Sequence, residues 1–278
     1  MKMRLSYLGP EGTYTEEAAT KYDPCADLVS CSTITAAATA VVAGEADEAV
    51  LPIENSLGGA VAETLDLLIH QSELQIRSEI VLPIHHSIMA KHDTNPEDVT
   101  VVYSHPQSLA QCRGYLERNY PNARLVASLS NSAAVGEMQS SEETAAAIAG
   151  RRAAALYEAH TLDQDIEDNH SNATRFVVMG HTDHKPTGTD KTSLCFDFDS
   201  DAPGILVVAL GEFSNRNINL NKIESRPTRM GLGRYIFLVD IDGHRQDAKV
   251  VEALDALRKH ASMLKVLGSY PREVSSSI

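Results

Sequence analysis

The stretch LSYLGPEGTYTEEAATK, residues 5–21, decides the fold of the first part of the chain. Leu5–Leu8 is predicted to be a short strand, and it runs directly into the turn at residues 9–12. Thr13 and Glu16 have the spacing of a capping box, which predicts a helix from there to about Lys21. A strand, a tight turn and a capped helix form the repeating unit of an α/β fold.

Outward from this unit, predicted strands and helices continue to alternate up to about residue 180. Strands are predicted at Ala49–Ile53, Val99–Tyr103, Arg124–Ala127 and Arg175–Met179, and helices at about Ala60–His70, Pro106–Arg118 and Arg151–His160, with others opening at Thr33 and near Asn131. Periodicity leaves Ala145–Ile148 open as a strand or as the start of a helix. The alternation predicts parallel sheets covered by helices, in one sheet or in two lobes.

The last part of the chain has a different order of elements. Strands are predicted at Ser193–Asp197, Ile218–Ile223, Tyr235–Ile241 and Leu264–Leu267, and helices from Pro203 to about Glu212 and from Asp247 onward. The order βαββαβ predicts a ferredoxin-like unit, whose size is typical of a small regulatory or binding module.

Length and charge both indicate two domains. The 278 residues are enough for two, and a polar segment with Gly and Pro between Gly180 and Lys191 predicts a linker. Residues 1–189 carry 12 basic and 26 acidic side chains, whereas residues 190–278 carry 12 of each. We therefore predict a first domain over residues 1–182, a linker over 183–191 and a second domain over 192–278.

Composition excludes several classes of protein. The net charge of −14 disfavours nucleic acids and anionic membranes as partners, and a hydrophobic content of 43% excludes bulk disorder. Four scattered cysteines without metal-ligand spacing indicate a reducing compartment and no structural metal. The amino-terminal residues break at Gly9-Pro10 before any signal-peptide core, and no apolar stretch approaches the length of a membrane span. We expect a cytoplasmic protein.

Four polar segments lie at predicted strand ends, where parallel α/β sheets bind their ligands. Read alone, each fits a turn, a cap or a loop. In their order along the chain, residues 9–14 (GPEGTY), 52–56 (PIENS), 103–107 (YSHPQ) and 174–176 (TRF) resemble the signature segments of prephenate dehydratase. Residues 218–220 (INL) with 222–227 (KIESRP) resemble the ACT segment of phenylalanine-regulated members of that family. The resemblance covers nearly the whole chain.

The resemblance implies a fold and a reaction. The fold is a two-lobed, periplasmic-binding-protein-like α/β catalytic domain, with lobes at about 1–80 with 165–182 and at 81–164, followed by a ferredoxin-like ACT domain. The reaction belongs to phenylalanine biosynthesis: prephenate loses its ring carboxylate as CO2 and its hydroxyl as water, giving phenylpyruvate. Aromatisation drives this carbon–oxygen lyase reaction, so no cofactor is expected. The enzyme must hold an anion, leave the ring carboxylate poorly solvated and stabilise the departing hydroxyl.

The resemblance also implies site residues. It points to Thr174 as the residue most tied to catalysis, through a hydrogen bond to the leaving oxygen, because a threonine hydroxyl is too weak an acid to release its proton. The other positions are, for catalysis, Asn55, Gln111, Ser104 and Glu54 and, for substrate binding, Arg175, Phe176, Thr13 and Ser56.

Strand alternation qualifies the role of the arginine. If residues 172–176 are extended, Asn172, Thr174 and Phe176 share one face and Arg175 points away. We expect Arg175 to act from the end of the loop, or by holding Glu54 or another acid. The segment 128–132 (SLSNS) lacks an acidic residue that some family members have nearby, yet a helix opening there offers N–H donors to an anion. His105 is expected to be structural.

In the ACT part, the resemblance implies phenylalanine bound between paired domains of a homodimer or tetramer. The implied effector-binding positions are Gly204, Ile205, Leu206, Asn217, Asn219, Leu220, Glu224 and Ser225. Ile205 stands where the family's segment has Ala, and its larger side chain bears on the affinity for the effector.

Two alternatives remain at this point. Arogenate, which carries an amino acid in place of the keto acid, is a rival substrate; its recognition would need a side chain that holds the ammonium, and the sequence does not place one. A non-catalytic amino-acid sensor of the same architecture is the other alternative. The joint presence of Thr174, Asn55 and Gln111 argues against a sensor.

Overall fold

A computed structural model describes residues 2–199, 202–228 and 234–273. Within these ranges the chain forms two compact units, residues 2–64 with 80–176 and residues 65–79 with 177–273. In the parts of the chain so described, every helix is too short or too polar to span a bilayer.

The strands and helices are as follows. The strands are β1 (Arg4–Leu8), β2 (Asp27–Cys31), β3 (Glu48–Asn55), β4 (Gly59–Ala60), β5 (Gln75–Pro83), β6 (Ser87–Ala90), β7 (Val101–Ser104), β8 (Arg124–Ala127), β9 (Ala145–Ala149), β10 (His160–Asp163), β11 (Ala173–Gly180), β12 (Asp190–Asp197), β13 (Leu220–Pro227), β14 (Tyr235–Asp242) and β15 (Met263–Pro271). The helices are α1 (Tyr14–Tyr22), α2 (Ile34–Val42), α3 (Ala62–Asp66), α4 (Pro106–Gln111), α5 (Arg113–Asn119), α6 (Asn131–Ser140), α7 (Arg151–Leu156), α8 (Ile205–Ser214) and α9 (Ala248–Leu257). A π-helical turn follows α3 at Leu67–Gln71, and a 3₁₀ turn lies at Pro96–Asp98.

The first sheet has the strand order β2-β1-β3-β11-β5, with β4 paired to β3. β1 is parallel to both of its neighbours and is buried at Leu5 and Tyr7. The predicted cap of α1 is present, because the Thr13 hydroxyl accepts from the Glu16 N–H. The Glu16 carboxylate reaches one residue further back than in a standard capping box and accepts from the Gly12 N–H.

Gly12 is required where the turn after β1 passes close to α6. Its φ is +81°, and a Cβ there would lie 2.7 Å from the Ser132 Oγ. The Ser132 hydroxyl donates to the Glu11 carbonyl of the same turn. The turn and the start of α6 are therefore held together within the first unit.

The second sheet has the order β10-β6-β9-β7-β8. β9, the segment whose periodicity was ambiguous, is a strand buried along its whole length. Ala145, Ala147 and Ala149 pack with α6 and α7, and Ala146 and Ile148 pack against the opposite cluster, which includes Cys112 and Leu116. Burial on both faces removes the polar alternation that identifies a half-exposed strand.

The second unit contains a four-stranded antiparallel sheet in the order β13-β14-β12-β15, with α8 and α9 packed on its core. The element order βαββαβ confirms the predicted ferredoxin-like fold. The same unit includes residues 65–79, where Glu79 forms a buried ion pair with Lys191 at 2.8 Å. Residues 183–189 of the predicted linker form neither helix nor strand, whereas its last two residues, Asp190 and Lys191, belong to β12.

Three predicted helices were wrong in extent. The one expected over Ala60–His70 begins only at Ala62, because Gly59–Ala60 pairs with β3, and it gives way to the π-helical turn. The helix expected from Pro106 to about Arg118 breaks at Cys112, and the Asp168 carboxylate accepts the N–H groups of Gly114 and Tyr115 that the break exposes. The helix expected over Arg151–His160 ends at Leu156, because His160 pairs with β6.

Candidate active site

The four signature segments of the first unit meet at a cavity of about 200 Å³. Its walls come from the ends of β3 and β11, from the turn that leads into α1, and from the loops before α4 and α6. The lining residues are Gly12, Thr13, Tyr14, Thr15, Pro52, His105, Leu129, Ser130, Asn131, Thr174 and Phe176. Arg and Lys are absent from these described lining residues.

Two helix N-termini supply the positive potential that the lining side chains lack. Residues 13–15, from the N-cap onward, form the start of α1, and Ser130 with Asn131 forms the start of α6. The first N–H groups of a helix have no partner within it, and each N-terminus carries about half a positive charge. Two such ends at one cavity favour the binding of an anion there.

Asn55 holds the Thr174 hydroxyl in the cavity. The Asn55 Oδ1 accepts from the backbone N–H groups of Leu57 and Gly58, at 3.1 and 2.7 Å. The Asn55 Nδ2 is therefore the end of the amide that faces Thr174, and it donates to the Thr174 Oγ1 at 2.9 Å. Because the Thr174 oxygen accepts this bond, its own hydrogen stays available to a ligand.

Gln111 lies one side chain further from Thr174. Asn172 links Gln111 to Asn55. The Asn172 Oδ1 accepts from the Asn55 Nδ2 at 2.8 Å, and the Asn172 Nδ2 donates to the Gln111 Oε1 at 3.1 Å. The same Gln111 oxygen is 2.9 Å from the Nε2 of His86, which is buried. Gln107 is also brought to the group, since its Nε2 donates to the Asn55 Oδ1 at 3.2 Å.

The alternation of β11 places Thr174 and Phe176 at the cavity and Arg175 on the other face. The Arg175 Nη1 lies 3.8 Å from the Glu54 Oε2, with the arginine side chain 12% exposed and the glutamate 36%. The two charges therefore form an ion pair, which is one of the two arrangements expected from the strand geometry.

The remaining sequence-predicted residues occupy supporting positions. Thr13 lines the cavity and caps α1, whereas the Ser56 Oγ accepts from the Ala173 N–H at the end of β11. Ser104 is fully buried, and its one hydroxyl hydrogen is shared between the Ile148 carbonyl at 2.7 Å and the Asn131 Oδ1 at 3.1 Å. Ser104 thus supports a residue that lines the cavity.

Asn131 and Tyr14 line the cavity although sequence reasoning did not select them as site residues. The Asn131 Oδ1 accepts from the Ser108 hydroxyl at 2.9 Å, which leaves the amide hydrogens for another partner. The Tyr14 hydroxyl donates to the His85 carbonyl, and burial holds the pKa of this phenol well above its usual value. The only sequence signals were the helix opening at Asn131 and the place of Tyr14 in the first signature segment.

His105 caps α4, as its position before Pro106 predicted. Its Nδ1 accepts from the Gln107 N–H at 3.3 Å, and partial burial lowers the pKa of the imidazole. A neutral His105 with its hydrogen on Nε2 fits this bond. The ring lines the cavity as an uncharged group at neutral pH.

One group of side chains in the described part of the chain has the spacing of metal ligands. His85, Asp165 and Glu167 bring one ligand atom each to within 4.8 Å of one another. The Asp165 carboxylate already accepts from Arg151, and the Glu167 carboxylate accepts from the His86 N–H and contacts the His85 ring. Both carboxylates therefore have protein donors.

In the second unit, the predicted effector residues lie on α8, β13 and the turn between them. Gly204, with φ of +85°, precedes α8 without a side-chain cap, and Ile205 and Leu206 form its first turn. Glu224 lies 3.3 Å from the Lys222 Nζ and 3.7 Å from the Arg226 Nη1. The other positions are Asn217, Asn219, Leu220 and Ser225, of which Leu220 and Ser225 belong to β13.

Comparison with known proteins identifies the family. A family model for prephenate dehydratase matches residues 5–184, and a model for the ACT domain matches residues 200–259. A bifunctional chorismate mutase/prephenate dehydratase from Neisseria gonorrhoeae is 42% identical over 274 residues, which cover 98% of this chain and 75% of that protein.

A prephenate dehydratase from Mycobacteroides abscessus is 40% identical over 279 residues, with 97% of this chain and 90% of that protein covered. Among solved structures, the prephenate dehydratase from Arthrobacter aurescens in complex with L-Phe has a TM-score of 0.91 at 36% identity, covering 97% of this chain and 90% of the other. The family predicted from the signature segments is therefore confirmed: the chain belongs to the prephenate dehydratases, with an ACT domain in its C-terminal part.

Proposed function

We propose that the cavity of the first unit is where this chain carries out the reaction of its family, the decarboxylation and dehydration of prephenate to phenylpyruvate. The observation that supports the site most directly is the pairing of Asn55 with Thr174 in a cavity that two helix N-termini also enter. A neutral hydrogen-bond donor and a binding site for an anion are two of the three features that the reaction requires, the third being poor solvation of the ring carboxylate.

The helix N-termini of α1 and α6 hold a carboxylate of the dianion. Neither a lysine nor an arginine is among the described lining residues, so the N–H groups at residues 13–15 and at Asn131 are the donors, since the Gly12 N–H is taken by the Glu16 carboxylate. The Asn131 Nδ2 is directed to the same anion, because Ser108 occupies its Oδ1. Ser104 contributes by supporting Asn131.

Thr174 acts on the leaving hydroxyl. As the bond between the ring and its carboxylate breaks, the electron pair moves into the ring and expels the hydroxyl at the opposite carbon, and CO2 is released. The Thr174 hydrogen bond strengthens as negative charge develops on that oxygen, which then takes a proton from solvent to leave as water. Phe176 and Pro52 form an apolar wall that keeps the ring carboxylate poorly solvated.

Arg175 and Glu54 act as a pair in this proposal. The arginine side chain, 12% exposed, holds the glutamate at the end of β3, next to Asn55. Gln111 acts through its amide donors, while Thr13 and Ser56 fix the turn before α1 and the end of β11.

The test compares purified wild type with Thr174→Val and Thr174→Ser, following phenylpyruvate formation from prephenate at neutral pH. Valine removes the donor without a change of shape, so kcat should fall about 10²- to 10³-fold, whereas serine should retain most of it. Arogenate is the second substrate in the assay. No product from prephenate above the spontaneous rate in wild type would overturn the proposal, and equal activity of the valine variant would remove Thr174 from catalysis.

We further propose that phenylalanine binds the second unit and inhibits the enzyme, in a homodimer or tetramer joined by the ACT domains. The start of α8 at Gly204 offers N–H groups to the amino acid's carboxylate, and Val207 and Val208 on α8 are 73% and 50% exposed. Prephenate assays with added phenylalanine and light scattering at several protein concentrations test both points. A cytoplasmic location accords with the four free cysteines.

A further inference from the structure

The hydrogen bonds behind the cavity form a chain whose direction is fixed at one end by the backbone. The N–H groups of Leu57 and Gly58 can only donate, so the Asn55 atom that they contact is the amide oxygen. The Asn55 Nδ2 must then donate to both of its side-chain neighbours, Asn172 and Thr174. The positions of the oxygen and the nitrogen in the Asn55 amide are therefore fixed by its hydrogen-bond partners.

The same direction continues through two more amides. Because the Asn172 Oδ1 accepts from Asn55, the Asn172 Nδ2 faces Gln111 and donates to its Oε1 at 3.1 Å. The Gln111 oxygen cannot donate, so the ring nitrogen of His86 that lies 2.9 Å from it must carry a hydrogen. The Gln111 oxygen then accepts two bonds, and both Nε2 hydrogens of that amide remain for another partner.

His86 is suited to this task. Its side chain is 1% exposed, and burial lowers the pKa of its imidazole, which favours the neutral form at neutral pH. A neutral ring with its hydrogen on Nε2 has a bare Nδ1, and this atom lies 3.0 Å from the Tyr14 hydroxyl. Tyr14 also directs its hydroxyl to the His85 carbonyl, so its one hydrogen is shared between the two acceptors.

We propose that His86 is a positioning residue for the reaction: it is the neutral Nε2–H tautomer and holds the Gln111 amide in the orientation that supports Asn172, Asn55 and, through them, the Thr174 hydroxyl. The inference rests on the proposed function of the cavity and goes beyond it, because neither His86 nor Gln111 is a lining residue, and the two are linked to the lining residue Thr174 through Asn172 and Asn55. If the ring carried its hydrogen on Nδ1, the Gln111 amide would have to turn over and would conflict with Asn172.

The first test is a matched pair of variants. His86→Gln places an amide nitrogen near the position of the imidazole Nε2 and keeps a donor for Gln111, whereas His86→Asn ends closer to the position of Nδ1 and loses it. We expect His86→Asn to lower kcat with prephenate about 10- to 100-fold with little change in KM, and His86→Gln to restore kcat to within about threefold of wild type. Equal losses in the two variants would overturn the proposal.

A double-mutant cycle with Gln111→Met separates positioning from general destabilisation. If His86 acts through Gln111, adding His86→Asn to Gln111→Met costs less than about threefold more, whereas independent effects would multiply. Multiplication would overturn the inference and leave the proposed function standing. An inactive wild type would instead remove the proposed function.

A third measurement reads the tautomer in the wild type directly. Long-range ¹H–¹⁵N correlation spectra of the wild type distinguish a protonated from a bare ring nitrogen, and the His86 signals are identified by their absence in His86→Asn. A hydrogen on Nε2 with Nδ1 bare supports the inference. The opposite tautomer would refute it whatever the kinetics show.

Discussion

Asn55→Asp reverses one hydrogen bond in the site while leaving the shape of the side chain almost unchanged. The Asn55 oxygen accepts from the Leu57 and Gly58 N–H groups at 3.1 and 2.7 Å, and a carboxylate accepts the same two bonds. The nitrogen that donates to the Thr174 Oγ1 at 2.9 Å becomes an oxygen. Thr174 must then donate its hydrogen to residue 55, so that hydrogen is withdrawn from the leaving hydroxyl.

The size of the effect follows from what is lost. Removal of one donor from a developing oxyanion costs about 10²- to 10³-fold in kcat, and we expect a loss in this range. KM should rise as well, because the new carboxylate repels a dianionic substrate. The reversed contact with Asn172, now 2.8 Å between two oxygens, should cost about 1–3 kcal/mol of stability, which a protein of ordinary stability withstands.

The assay is phenylpyruvate formation under saturating prephenate, with urea unfolding as the check on stability. Thr174→Val is the matched control, because it removes the same hydrogen directly. The double variant should be no slower than the slower of the two single variants, since both act on one hydrogen bond. A kcat for Asn55→Asp within about threefold of wild type would refute the assigned direction of this bond.

Three further predictions concern stability and substrate capture. Lys191→Met should lower the free energy of unfolding by about 3–5 kcal/mol in urea titrations, because it removes the ammonium group 2.8 Å from the buried Glu79 carboxylate. Lys191→Met with Glu79→Leu should recover most of the loss, and an unaltered stability of the single variant would contradict the buried pair. Burial alone would raise the pKa of Glu16, but hydrogen bonds from Arg152 and the Gly12 N–H outweigh burial and lower the pKa. The ionised carboxylate therefore stabilises the fold at pH values above its ordinary pKa. This contribution is lost as the pH falls through the lowered pKa of the folded state. The Tm difference between wild type and Glu16→Gln should therefore shrink between about pH 6 and pH 3, and a constant difference would argue against the ionised pair. Finally, KM for prephenate should stay flat or improve from about 50 to 300 mM salt, since the chain carries −14 overall and the anion is held by local N–H groups; a steep loss of capture would contradict this.

The parts of the fold that sequence predicted best are those with local causes. The Thr13 cap and the second unit's βαββαβ order depend on turn chemistry and periodicity within a few residues. β5 was not predicted, because Gln75, Arg77 and Glu79 interrupt its apolar pattern. The Glu79 side chain is nonetheless 2% exposed, and its partner Lys191 lies more than a hundred positions along the chain.

The site shows the same division. Alternation in residues 172–176 predicts which side chain faces away, and Arg175 does pair with Glu54 on that other face. Nothing local joins Asn55 to Thr174, which are 119 positions apart, or His86 to Gln111. The family resemblance identified Asn55 and Thr174 as site residues, whereas the contact between His86 and Gln111 is seen only in the folded structure. The break in the helix at Cys112 likewise depends on Asp168, which is 54 positions from Gly114 and therefore too distant for local sequence patterns to reveal.

The membership of residues 65–79 in the second unit bears on how this protein can be taken apart. The chain passes between the units at residues 64–65, 79–80 and 176–177, and the predicted linker at 183–191 lies beyond the last of these crossings. A cut in the linker therefore does not release the second unit intact: it leaves residues 65–79 on the other fragment and separates Glu79 from Lys191. When regulatory domains are exchanged between relatives, Glu79 and Lys191 stay matched only if this internal segment is exchanged together with the C-terminal part.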